Sequence, residues 1–126
     1  MTEPPFYVYL AGPMSSYPAD YLASCARMST YSRQLMDLEI CTINPAGDLL
    51  EGLASQIPLT DAQYKRRSLD LLRLLEGKPA AVFVIALKNR SGTISSGVAD
   101  EIAEATRLGI PVVYDVGSLL AVRAKG

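Results

Sequence analysis

A glutamate on the apolar side of a helix is the strongest candidate for a reactive group in this sequence. Segment 96–108 (SGVADEIAEATRL) has helical spacing, and its solvent face is expected to carry Asp100, Glu104 and Arg107. Glu101 falls instead on or beside the apolar face, whose residues are Val98, Ile102, Ala105 and Leu108. A carboxylate held by a helix and partly withdrawn from water is a candidate catalytic group. The structural alternative is a glutamate at the edge of the apolar stripe whose carboxylate reaches water.

Two tyrosines in the first predicted strand are candidates for a neighbouring hydroxyl. Tyr7 and Tyr9 are two residues apart, so their side chains point to the same side of the strand. One of them could place its hydroxyl near Glu101. For Tyr7 we favour a structural role, as a half-buried side chain of the sheet.

The composition removes several kinds of chemistry. The chain has 126 residues and no histidine, which excludes Ser-His-Asp and Cys-His catalysis and histidine-based metal sites. The two cysteines, Cys25 and Cys41, form no CxxC pair, and their apolar surroundings predict reduced core thiols. We expect neither a metal nor a cofactor.

The charge pattern limits the partners. The formal net charge is −1, and the basic residues concentrate around Lys65, Arg66 and Arg67. Three charges are too few for a protein that binds polymeric nucleic acid, although they can help to hold one anionic ligand. The longest apolar run, 80–87, is too short to cross a bilayer, and the first residues do not resemble a signal peptide. We therefore expect a cytoplasmic protein without membrane contact.

The elements that must position these side chains alternate along the chain. Strands are predicted at 6–11, 38–43, 80–87 and 110–114, and helices at 18–36, 60–76, 96–108 and 118–124, with a loop or short helix at 46–58. Thr60 and Gln63 have the spacing of a capping box. This alternation predicts one domain over 1–126: a three-layer α/β/α sandwich with a mainly parallel sheet, Rossmann-like or flavodoxin-like.

In such a sheet, ligands bind beyond the carboxyl ends of the strands. Three loops are candidates there: 12–18, which begins with Gly12 and Pro13; 44–48, which begins with Asn44; and 88–96. Glycine lets the backbone approach a ligand closely, and the serines of these loops can donate hydrogen bonds.

Three motifs resemble a known family. YLAGPMS at 9–15, INPAG at 43–47 and SSGVADEIAEATRLGIPVV at 95–113 are similar, in this order, to the nucleoside 2-deoxyribosyltransferase-like superfamily. That superfamily includes 2′-deoxynucleoside 5′-phosphate N-hydrolases and small bacterial and phage proteins. The resemblance covers about Tyr7 to Val113.

The resemblance implies cleavage of the N-glycosidic bond of a nucleoside or nucleotide. It makes Glu101 the nucleophile that attacks the anomeric carbon, as in retaining glycosidases, and Tyr9 the residue that orients it. Ser95, six residues before the nucleophile, matches the serine with which the monophosphate hydrolases bind the 5′-phosphate; the alternative is that the serines are only helix caps. The full set of residues expected to bind substrate is Gly12, Pro13, Met14, Ser15, Asn44, Ser95, Ser96 and Gly97.

The sequence departs from the family pattern in two places. The family has an aspartate in an R-D-I/L segment, whereas this chain reads Arg67-Ser68-Leu69-Asp70, so the direct match is Ser68 and the catalytic candidate Asp70 comes two residues late. Phosphate hydrolases tend to have a basic residue in the first loop, where this chain has Met14 and Ser15. The basic residues at 65–67 could replace it, even from a neighbouring subunit.

Three functions follow as hypotheses. The first is an N-glycosidase of nucleoside 5′-monophosphates. The second is a deoxyribosyltransferase that exchanges bases between deoxynucleosides, and the third is a noncatalytic nucleotide-binding module. Because family members usually form dimers or larger assemblies, we expect a homo-oligomer.

Overall fold

A four-stranded parallel sheet is the centre of the structure. The structure, a computed structural model, describes residues 5–13, 18–47, 61–88 and 92–125. Within these ranges the strands are β1 (Tyr7–Ala11), β2 (Cys41–Ile43), β3 (Ala80–Val84) and β4 (Val112–Val113). Their spatial order is β2-β1-β3-β4, and every neighbouring pair is parallel.

Helices cover both faces of this sheet. In chain order they are α1 (Pro18–Asp37), α2 (Asp61–Leu74), α3 (Ser96–Arg107) and α4 (Val116–Lys125), and a short 3₁₀ helix spans Pro45–Gly47. Helices α1 and α4 pack on one face, whereas α2 and α3 pack on the other. The predicted three-layer α/β/α arrangement with a parallel sheet is confirmed.

The alternation of side chains along β1 divides the core into two clusters. Val8 and Leu10 point into the cluster with α1 and α4, while Tyr9 and Ala11 point into the cluster with α2 and α3. All five residues of β3 are buried, as a strand covered on both faces requires. Tyr9 and α3 therefore share one side of the sheet.

The strand order also determines where a crevice can form. From β1 the chain crosses to β2 on one side, and it later returns to β3 on the other side of β1. The connections leave β1 and β3 in opposite directions, and the carboxyl ends of these strands are where parallel α/β sheets bind ligands. Gly12 and Pro13, directly after β1, and the beginning of α3 lie at this edge.

Several element boundaries differ from the prediction. The third strand ends at Val84 rather than at 87, and the fourth spans two residues rather than five. Helix α2 ends at Leu74, before the predicted stop at Gly77, whose φ is +77°. The predicted cap at Thr60 and most of the 46–58 segment lie outside the described residues.

The second strand shows the largest difference, because a turn replaces its predicted first half. The amide of Glu39 donates to the Met36 carbonyl at 3.0 Å, and the amide of Ile40 donates to the Leu35 carbonyl at 3.2 Å. These two bonds form a Schellman motif, so β2 begins only at Cys41. Cys41 is exposed on this edge strand, which corrects the prediction of two core cysteines; Cys25 is buried as expected.

The same motif ends α3, with a different residue at its critical position. The amides of Gly109 and Ile110 donate to the carbonyls of Thr106 and Ala105, and Gly109 has φ +75°. In the first motif that left-handed position is occupied by Glu39, with φ +61°. Glycine adopts this conformation without steric cost, whereas a residue with a Cβ atom does not.

We therefore predict that Glu39→Gly stabilises the protein. Relative to Glu39→Ala, which removes the same carboxylate but keeps the Cβ atom, it should raise the free energy of unfolding by about 1 kcal/mol. Urea unfolding of the two variants measures the difference. Equal stability of the two variants would show that the left-handed backbone at this position carries no strain.

Candidate active site

Helix α3 holds Glu101 against the sheet. Val98 and Ala105, on either side of Glu101 in sequence, are buried in the cluster beneath α2 and α3. Glu101 lies on the second turn, and its Oε2 atom is buried with no hydrogen-bond partner at normal distance among the described residues. The expectation that helical phase places this carboxylate beside the apolar face is confirmed. An unsatisfied buried carboxylate oxygen is costly, so its position requires an explanation.

Tyr9 is the side chain whose hydroxyl hydrogen-bonds to the Glu101 carboxyl group. It is fully buried on β1, on the side of the sheet that α3 covers. Burial raises the pKa of Glu101, the hydrogen bond with Tyr9 lowers it, and the negative charge of Asp100 raises it. The net result is a pKa of about 7, well above the ordinary 4.5. Withdrawal from water is the largest of these effects.

A carboxyl group with this pKa exists in both protonation states near neutral pH. In its charged form it is a nucleophile or a general base, and in its neutral form it can donate a proton. Perturbed carboxyl groups of this kind concentrate at functional sites. Glu101, with its hydrogen-bond partner Tyr9, is therefore the strongest candidate for a catalytic group among the described residues.

The beginning of α3 supplies hydrogen-bond donors at the same edge. Ser95 is buried, and its Oγ accepts a hydrogen bond from the Val98 amide at 3.3 Å, so it is the N-cap of the helix. Ser96 is exposed, and among the described residues a Cβ atom added to Gly97 would meet Ser95 Oγ at 3.8 Å, which is ordinary van der Waals contact. The capping interpretation of Ser95 is confirmed, and phosphate binding stays a prediction.

Ion pairs connect α2 with α3 beside Glu101. Lys65 pairs with Asp100, and Arg73 pairs with Glu104 at 3.2 Å. Arg107 pairs with Glu104 as well, and this bond and then the one from Arg73 hold the pKa of Glu104 below its ordinary value. The Glu104 side chain is only 14% exposed, so its expected position on the solvent face was wrong: it lies in the seam between the helices.

Asp70 lies on the exposed side of α2, away from Glu101. It is exposed, and it pairs with Arg73 at 2.8 Å and with Arg66 at 3.9 Å. Ser68, the direct match to the family's aspartate, is partly buried one turn before the fully buried Leu72. Because two residues along a helix turn by about 200°, Ser68 and Asp70 lie on opposite sides of α2.

The remaining predicted residues divide between packing and local structure. Gly12 and Pro13 are buried after β1, and a Cβ atom on Gly12 would lie 3.4 Å from Met28 Sδ, in van der Waals contact with α1. Asn44 Oδ1 accepts from the Ala46 amide at 3.1 Å, which stabilises the turn after β2. Its side-chain amide also donates to Ser29 Oγ at 3.3 Å.

Met14 and Ser15, also expected to bind substrate, lie outside the described residues. Within the described ranges there is no group of three or more side chains suited to hold a metal ion. None of the helices in those ranges has the length and apolar character needed to span a membrane.

Comparison with known proteins gives no assignment. No protein-family model matches the chain, and no curated protein matches it.

We predict that the buried carboxylate destabilises the fold at neutral and alkaline pH. The folded-state pKa of Glu101 is raised from 4.5 to about 7, so its contribution to stability is complete below pH 4.5 and is lost as the pH rises towards 7. Glu101→Gln should therefore be more stable than the wild type at pH 8, by about 2–3 kcal/mol, with the difference vanishing near pH 4.5. Urea unfolding across this pH range measures it.

Glu104→Gln is the matched control on the same helix. The pKa of Glu104 is lowered by its arginine partners, so its contribution is present above the ordinary pKa and is lost on acidification. This variant should be less stable than the wild type at pH 8, the opposite sign to Glu101→Gln. If the two variants change stability in the same direction, Glu101 is not the desolvated carboxylate described above.

Proposed function

We propose that the protein cleaves the N-glycosidic bond of a nucleoside 5′-monophosphate, with Glu101 as the nucleophile. The observation that carries this proposal is the Glu101 carboxylate itself: it is withdrawn from water, it is hydrogen-bonded by Tyr9, and its Oε2 has no partner at normal distance among the described residues. The three motifs that resemble the nucleoside 2-deoxyribosyltransferase-like superfamily support it. That resemblance implies the same roles for Glu101 and Tyr9.

The proposed reaction has two steps. A Glu101 oxygen forms a bond to the anomeric carbon while the bond from that carbon to the base nitrogen breaks, and the electron pair leaves with the base. Water then attacks the same carbon and the ester bond to Glu101 breaks, which restores the carboxylate. The proton that water gives up balances the proton that the departing base takes up.

Tyr9 assists the first step by stabilising the charged carboxylate. A nucleophilic glutamate must be ionised, and burial opposes ionisation. The hydrogen bond from Tyr9 acts in the other direction. Because Tyr9 is fully buried on a central strand, its hydroxyl is fixed by the sheet and can orient the carboxylate.

The beginning of α3 suits the 5′-phosphate. Ser95 Oγ accepts one hydrogen bond from within the helix and keeps its own proton for donation. The amides of Ser96 and Gly97 have no helical acceptor, and the positive end of the helix dipole favours an anion. Helix capping and phosphate binding by Ser95 are thus compatible.

The mechanism gives Asp70 no role in departure of the base. Its carboxylate pairs with two arginines on the exposed side of α2, away from Ser68 and the buried side. Protonation of the base by water is sufficient for the balance of the reaction.

The direct test is release of free base from a panel of deoxynucleosides and their 5′-monophosphates, with and without an added second base. We expect release from monophosphates only, with no dependence on the second base. Glu101→Gln should lower kcat by about 10³-fold or more, because it removes the nucleophile. Asp70→Asn, a neutral carboxamide in place of an exposed carboxylate, should retain activity.

The alternatives predict different results. Transfer of deoxyribose to the second base would establish a deoxyribosyltransferase. Absence of base release from every compound, with nucleotide binding unchanged in Glu101→Ala, would leave a noncatalytic binding module.

Tyr9→Phe should change the pH dependence of activity. Loss of its hydrogen bond raises the pKa of Glu101 further, so the rise of kcat/KM with pH should move to higher pH. The loss of activity should be about fivefold greater at pH 6 than at pH 9. Tyr7→Phe, on the same side of the same strand, is the control and should leave the profile in place.

A further inference from the structure

The residue that precedes Glu101 carries a negative charge whose partner comes from another helix. Asp100 forms an ion pair with Lys65 of α2. Both side chains are close to half exposed, at 45% and 47%, so the pair lies at the surface of the seam between α2 and α3. Glu101 lies beneath this seam, on the side of α3 that packs against the sheet.

The elements packed around Glu101 contribute few charged side chains. Strand β1 contributes Tyr9, and β3 contributes only apolar side chains. On α3 the acidic neighbours are Asp100 and Glu104; Glu104 is compensated by Arg73 and Arg107. From α2, Lys65 and Arg73 pair across this seam, whereas Arg67 lies over the ring of Tyr64 on its own helix, 5.6 Å from the ring centroid. The negative charge of Asp100 is compensated by Lys65.

We propose that Lys65 is a positioning residue for the reaction: by pairing with Asp100, it neutralises the charge beside Glu101 and thereby favours the ionised form of the Glu101 carboxylate. The effect of Lys65 on the charge of Glu101 does not depend on the reaction that is catalysed. The effect of Lys65 on turnover rests on the proposed function. Repulsion from Asp100 already acts on Glu101 and raises its pKa. Removing Lys65 leaves that repulsion uncompensated.

A direct titration of Glu101 tests this without reference to activity. The carboxyl carbon of Glu101 is followed by NMR against pH in ¹³C-labelled protein, and its signal is identified by its absence in Glu101→Gln. Lys65→Met should move the midpoint to higher pH, whereas Lys65→Arg, which keeps the charge, should restore it. Asp100→Asn should move the midpoint to lower pH.

The double variant separates charge from packing. If Lys65 acts through Asp100, then Lys65→Met causes no further shift when Asp100→Asn is already present. The matched control is Arg66→Met, which removes the same charge from the next residue of α2; the Arg66 side chain is 85% exposed and pairs with Asp70. A shift in Arg66→Met equal to that in Lys65→Met, or an undiminished shift in the double variant, overturns the proposal.

The kinetic consequence is small and depends on salt. At pH 6, Lys65→Met should lower kcat/KM by about two- to fivefold, the range expected for an exposed ion pair, and high salt should reduce this difference. If the NMR midpoint shifts as expected but no nucleotide is cleaved by the wild type, the proposed function fails while the ion-pair control of Glu101 stands. If cleavage occurs and the midpoint does not shift, the ion-pair proposal fails alone.

Discussion

The withdrawal of one carboxylate from water constrains the rest of this structure. Glu101 sits between α3 and the sheet, where burial favours its neutral form and raises its pKa to about 7. The helix can hold it there because Val98 and Ala105 pack into the same cluster on either side of it. The apolar packing of α3 thus offsets the cost of a poorly solvated acid. The resulting carboxyl group changes its protonation state near neutral pH.

Two neighbours tune this group from different directions. Tyr9 reaches it from the centre of the sheet and favours the charged form, whereas Asp100 acts from the same helix and favours the neutral form. Lys65 pairs with Asp100 from α2, so the packing of the two helices brings a positive charge to the residue next to Glu101. The second pairing across this seam, between Arg73 and Glu104, holds the helices together one turn further on.

The fold class and most of the elements could be predicted from the sequence because their signals are local. The 3.6-residue period defines α3, and the unbroken apolar run at 80–87 indicates a strand covered on both faces, although the strand itself ends at Val84. The end of α3 was predictable from Gly109. The end of α1 has the same hydrogen-bond pattern but carries Glu39 where glycine is usual, so the sequence contains no signal for that turn.

By itself, the sequence determined the helical phase of Glu101 and the side of the strand that Tyr9 shares with Tyr7, since both follow from fixed backbone periods. Only the tertiary structure decided that Tyr9 meets Glu101, that Lys65 meets Asp100, and that Asp70 pairs with arginines on the exposed side of α2. These contacts depend on how α2 and α3 dock on the sheet and on each other. That docking results from the packing of two helices and two strands that are distant in sequence, which no local pattern encodes.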